Sequence, residues 1–285
     1  MGTYNGYQAA TYYGKASDPV YTLVRDPSTL HYGPSNVDGL RIHAPSGMRF
    51  NRDNDSLMSI VDQTTNTEYD FWYVTAIDDS ARTITFKWGG QFAVDGSGVG
   101  DTKGYAYESG FGMQFGYIRY AELMTGEINH ALYLIVPGVK GRVAPAIDTG
   151  GNFANDEGMP PMGGRMQITM SDAEIDAVTL DGRPAPWYYK TILRAAAHYG
   201  LFVSDEGDSP WGGLRTESGL AYEAQGQENP WKRFAREQNV PVKSGGYGSA
   251  PYLRFTALRD SKGQSVWRNI RVVAPSAYGY SDTLR

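Results

Sequence analysis

LMSIVDQTTNTEYDFWYVTA, residues 57–76, is the stretch that decides the fold. Leu57 to Asp62 and Glu68 to Ala76 are β-rich runs, and the polar QTTNT between them reads as a hairpin with a five-residue loop. On a strand, residues two apart share a face. Glu68, Asp70 and Trp72 therefore point one way, and Tyr69, Phe71 and Tyr73 point the other way, into a core.

The same grammar extends outward. Gly39 to Pro45 and Arg82 to Trp88 alternate apolar and polar residues, as half-buried strands do. Ile128 to Val136 is almost wholly apolar and reads as a central strand buried on both faces. Arg165 to Met170, Leu201 to Val203, Tyr252 to Leu258 and Gln264 to Val273 add further strands. Helical signals are few. Tyr117 to Met124 is stopped by Gly126, and Ser171 with Glu174 forms a capping box. Pro186 opens a helix that ends before Gly200, with Tyr188, Ile192, Ala195 and Tyr199 on one face. A small helix is expected over Asn229 to Gln238. The expected fold is mainly β: one antiparallel two-sheet sandwich, jelly-roll-like, over residues 1–285 with two or three short surface helices. Residues 1–35 read as an N-terminal arm, and 209–285 as an extension carrying the closing strands.

Composition bounds the function. The 285 residues carry 26 Lys+Arg against 31 Asp+Glu, which argues against a nucleic-acid partner because phosphate contacts need a basic face. With no cysteine there is no disulfide scaffold, Cys-ligated zinc or thiol catalysis. No apolar run is long enough to insert in a membrane, and the first residues lack the basic start and apolar stretch of a signal peptide. Tyrosine occurs 21 times and tryptophan 6 times. Such side chains offer a flat apolar face and a polar tip, which suits sugars, although many will simply fill sheet faces.

Three groups of residues are chemical candidates. Glu68 and Asp70 beside Trp72 resemble what a glycoside hydrolase presents in a sheet cleft: an acid, a nucleophile or base, and a stacking platform. An ordinary solvated strand face is the other reading. Arg119, Glu122, Glu127 and His130 make a second polar group, with His130 a candidate base and the others candidate substrate contacts. Asp148, Asn152 and Asp156 offer oxygen ligands for Ca²⁺, the one cofactor considered, although turns use the same residues. Asn51, Asp53 and Asp55 also alternate, but the glycine that an EF-hand loop requires is Ser56, so that motif is rejected.

Several segments together resemble a sparsely characterised family of secreted actinobacterial, and in part phage-borne, β-sandwich proteins. They are RYAELMTGEINHALYLIVP (119–137), LMSIVDQTTNTEYDFW (57–72), PPMGGRMQI (160–168) and AAAHYGLFVSDEG (195–207). The resemblance covers roughly residues 40–208 and implies an extracellular setting beside polysaccharide-active modules. With no signal peptide read, it points to a virion of a phage as well as to a secreted protein.

The expected function is recognition of cell-surface or cell-wall polysaccharide, by a phage tail-tip (minor tail) protein or a secreted glycan-binding protein. Glycan is the expected partner, with a second copy of the chain or other virion proteins beside it. A glycoside hydrolase using Glu68 and Asp70 is one alternative, and a purely structural virion subunit is another.

Overall fold

The computed structural model describes residues 2–3, 8–26, 28, 35–149, 158–207, 213–245, 248–251 and 253–279. The described chain is mainly β, with several sheets and five helices. It divides into two compact units: residues 5–114 with 217–251, and residues 1–4 and 115–216 with 252–285. The chain crosses between them four times, and the crossing at 114–115 falls inside the short 3-10 turn Met113–Phe115, where the sequence shows no linker.

The first unit is built on the hairpin. Strands Met58–Asp62 and Thr67–Asp78 pair antiparallel, with Phe71 opposite Met58 and Asp70 opposite Ser59. The loop is four residues, 63–66, one shorter than expected. Asp62 closes it by accepting from the Thr64 N–H (2.9 Å) and hydroxyl (2.6 Å), and Asn66 takes the left-handed backbone the turn needs. Strand Thr83–Ala93 continues the sheet. Residues 10–25, read as part of an arm, instead supply strands Ala10–Gly14 and Val20–Arg25. The six-stranded order is Ala10–Gly14, Met58–Asp62, Thr67–Asp78, Thr83–Ala93, Val20–Arg25, Arg41–His43. Two of its pairings are parallel, so the antiparallel expectation is corrected to a mixed sheet.

The sheet bends until its two edge strands approach. A Cβ on Gly14 would lie 1.8 Å from the His43 carbonyl oxygen, so only glycine fits, and the His43 N–H donates to Asp62 (2.8 Å). Inside the bend lies the core: Tyr12, Tyr21, Leu23, Ile42, Met58, Ile60, Tyr69, Phe71, Val74, Ile84 and Phe86, joined by Ala221 of helix Leu220–Ala224. Phe71 and Phe86 pack with their rings tilted by 56°, 5.0 Å between ring centroids. Because the strand period is two, seating Phe71 inside fixes Glu68, Asp70 and Trp72 on the outer face.

The second unit holds another six-stranded sheet, curled into a half-barrel. Its centre is Leu132–Val136, wholly buried and parallel to Leu201–Glu206, with helix Trp187–His198 before the latter. The capping box at Ser171 forms as expected, and Gly126 ends helix Tyr120–Thr125 in the left-handed region. Two expected strands are corrected in part. Tyr252 to Leu258 becomes the 3-10 turn Phe255–Ala257 and a two-residue strand, and Gln264 to Val273 is a strand only over Ile270–Val273. The Trp267 indole N–H donates to the Phe255 carbonyl (3.0 Å) and so ties the 3-10 turn Val266–Asn269 to the turn Phe255–Ala257. Among the described residues, no helix is long and apolar enough to cross a membrane.

Candidate functional site

On the outer face of the first sheet, Thr11, Ser59, Asp70 and Gly90 form one row in register across four strands. Residues 99–114 lie over that row. A Cβ on Gly90 would come within 2.1 Å of the Gly104 carbonyl oxygen, so the covering segment rests directly on the sheet backbone there. Its end is fastened by the carboxylates: the Met113 N–H donates to Asp70 (2.7 Å) and the Gln114 N–H to Glu68 (2.9 Å). The Gln114 amide donates to the Thr11 hydroxyl (2.9 Å), and Tyr105 meets Trp88 edge to face at 6.0 Å.

Glu68 and Asp70 do not form the open carboxylate pair expected of a hydrolase cleft. They share a face, as the pattern requires, but are 1% and 0% exposed. An acid or nucleophile must reach its substrate; these two serve as acceptors for main-chain N–H groups. Burial pushes the Asp70 carboxyl up to about 6, with Glu68, the Met113 N–H and Ser59 holding it lower than burial alone would.

Trp72 stays on the outer face, half-buried, with its indole N–H donating to Asp55 (3.2 Å). Tyr73 does not enter the core as alternation predicts. Its backbone is left-handed (φ 55°), and its N–H donates to the Asp55 carbonyl (2.7 Å) instead of continuing a regular strand. The kink brings the Tyr73 ring edge-on to Trp72 (5.7 Å), and Lys87 places its ammonium 3.9 Å from the Tyr73 ring.

In the second unit, Arg119, Glu122 and His130 come together as expected. Glu122 ion-pairs with Arg119, and His130 Nε2 lies 3.2 Å from the other Glu122 oxygen. Burial pushes the Glu122 carboxyl up, but His130 and Arg119 outweigh it and hold the group below its usual range. His130 Nδ1 contacts the Ala131 carbonyl (2.8 Å). With both ring nitrogens engaged, neither is presented as a base, and His130 belongs to a different unit from Glu68 and Asp70. Glu127 is exposed and stands outside the cluster, its carbonyl accepting from Thr125 (3.3 Å).

Of the expected calcium ligands, Asn152 and Asp156 lie outside the described residues. Asp148 is half-buried and accepts from the Thr149 N–H (2.7 Å). The rejected EF-hand stretch is a structural turn, in which Asp53 accepts from the Asp55 and Ser56 N–H groups. Among the described residues no three His, Asp or Glu side chains gather as a metal cluster.

A groove missed in the sequence opens at the edge of the first sheet. It holds about 300 Å³ and is lined by Tyr13, Lys15, Asp18, Tyr222, Gln225 and Gln227, with Thr11 and Tyr12 behind. Tyr13 points outward because Tyr12 points into the core, and it is 44% exposed. The walls are held in place. Tyr222 donates to the buried Glu217 (3.3 Å), Gln225 donates to the Ser46 carbonyl (3.1 Å), and Asp18 accepts from the Lys15 N–H (2.8 Å). The Tyr12-Tyr13 pair was the available signal, since alternation puts one of any adjacent strand pair on the outer face. No protein-family model, curated protein or solved structure matches this chain.

Proposed function

We propose that this protein recognises a polysaccharide of the cell surface or cell wall, in an extracellular setting, as a phage tail-tip or a secreted glycan-binding protein. The observation that carries the reading is the groove at Tyr13 and Tyr222. It combines what sugar recognition needs: aromatic faces for the apolar side of a pyranose, and amide, carboxylate and ammonium groups for its hydroxyls. Its volume is at the small end of ligand pockets, about 300–1,000 Å³, and suits one or two sugar rings. Lys15 and Asp18 balance in charge, which favours a neutral sugar. The half-buried Trp72 offers a further aromatic face on the same sheet. The hydrolase alternative loses its support once Glu68 and Asp70 are buried.

Binding to a glycan array and to cell-wall preparations tests this. The wild-type chain is expected to retain specific glycans, and Tyr13→Ala to weaken that retention about tenfold, the effect of losing one stacking contact of about 1–1.5 kcal/mol. Absence of retention across a broad panel, or retention that Tyr13→Ala and Gln227→Ala leave unchanged, overturns it.

A further inference from the structure

We propose that Glu68, Asp70 and Ser59 form the ligand set of a buried site for one hard cation, Ca²⁺, beneath residues 99–114. Two carboxylates two residues apart on one strand face sit at 1% and 0% exposure. Carrying such charges into the interior is costly unless something positive or well aligned compensates them. One oxygen of Asp70 accepts from the Met113 N–H; the other, Oδ1, is buried and makes no hydrogen bond. Directly across the strand pair lies Ser59, 0% exposed, whose hydroxyl faces the Asp70 carboxylate but completes no hydrogen bond of good geometry. Two polar atoms are thus left unsatisfied side by side in a place where proteins rarely tolerate one.

The chemistry of the set selects the ligand. Carboxylate and hydroxyl oxygens, with no nitrogen or sulfur donor, suit hard cations and not zinc or copper. The Gln114 amide and the Thr11 hydroxyl, bonded to one another over the same row, are further oxygen sources at hand. Ca²⁺ accepts irregular all-oxygen shells, whereas Mg²⁺ keeps several waters in a strict octahedron, which a site closed by a covering segment disfavours. The cation would join the sheet to residues 113–114 through the carboxylates that already hold their N–H groups. Apart from Thr11, which also lies behind the groove, this site draws on no residue of the groove, and it does not rest on the polysaccharide reading.

The test uses the full-length chain, stripped with a chelator at pH 7.5. Adding CaCl₂ is expected to raise Tm by about 5 °C at a hundredfold excess over Kd, with MgCl₂ giving less. Terbium is expected to give luminescence sensitised by Trp72, two residues along the strand from Asp70 and so about 7 Å away. Asp70→Asn should abolish both responses. Should that variant fold poorly, Ser59→Ala, which removes only a hydroxyl, should shift the half-maximal Ca²⁺ concentration upward about tenfold. A wild-type Tm and terbium signal that do not respond, or responses that survive both substitutions, overturn the proposal.

Discussion

Replacing Gly90 with Ala tests whether residues 99–114 are fastened to the sheet as a unit. An added Cβ would stand 2.1 Å from the Gly104 carbonyl oxygen, 2.4 Å from its carbon and 2.7 Å from the Tyr105 nitrogen, all of them backbone. No side chain can swing aside, so the covering segment must retreat by roughly 1 Å to reach even the closest contact that real Cβ atoms show. The bonds from Met113 and Gln114 to Asp70 and Glu68 start at 2.7 and 2.9 Å. A retreat of about 1 Å takes them beyond 3.5 Å, where they no longer count as hydrogen bonds. Each is a bond to a carboxylate, worth about 1.5–3 kcal/mol, so the loss expected is about 3–6 kcal/mol. Urea denaturation followed by tryptophan fluorescence measures it as a fall in midpoint. Gly207→Ala is the control, since its Cβ would meet only an Ile135 methyl at 3.5 Å, and it should stay within about 0.5 kcal/mol of wild type. If Gly90→Ala is equally mild, the segment yields without cost and does not hold the carboxylates as described.

Three more outcomes follow from the packing and the charges. Phe71→Ala, at 0% exposure in the centre of the first core, should cost about 3–5 kcal/mol in chemical denaturation. In the second unit Arg215 and Asp205 form an ion pair (2.9 Å) with side chains 3% and 13% exposed. Asp205→Ala, leaving the guanidinium without that carboxylate, should cost about 3–5 kcal/mol, and a following Arg215→Met should recover part of it. In chelator, the raised Asp70 pKa sets a pH dependence. The folded state binds the proton more tightly than the unfolded state, so its contribution is fully present below about 4. It is lost as pH rises through about 6, on the order of 3 kcal/mol in all. Urea midpoints across that range should show the slope in wild type and not in Asp70→Asn; an equal slope in both would assign it to other groups.

What could be read from the sequence, and what could not, divides along the range of the forces involved. The hairpin and the inward set of Tyr69 and Phe71 are local consequences of a period of two, and they were legible in residues 57–76, whereas the exact register, set by a loop one residue shorter than expected, was not. Helix ends at Ser171 and Gly126 were legible for the same reason, since caps are set by neighbours in the chain. Burial of Glu68 and Asp70 was not, because it depends on a Gly-rich segment some thirty residues downstream settling on Gly90, and glycines there read equally well as an open connector. Tyr73 escaped alternation through a bond to the Asp55 carbonyl, which no strand pattern records. The polar cluster of Arg119, Glu122 and His130 was predictable because its members are close in sequence, yet the Ala131 carbonyl that occupies the second His130 nitrogen decides its chemistry. The groove is the opposite case: Tyr13 and Tyr222 lie far apart in the chain and meet only because helix Leu220–Ala224 returns to the first sheet. An aromatic excess therefore announces that such a surface exists, and the long-range return of the chain decides which tyrosines form it.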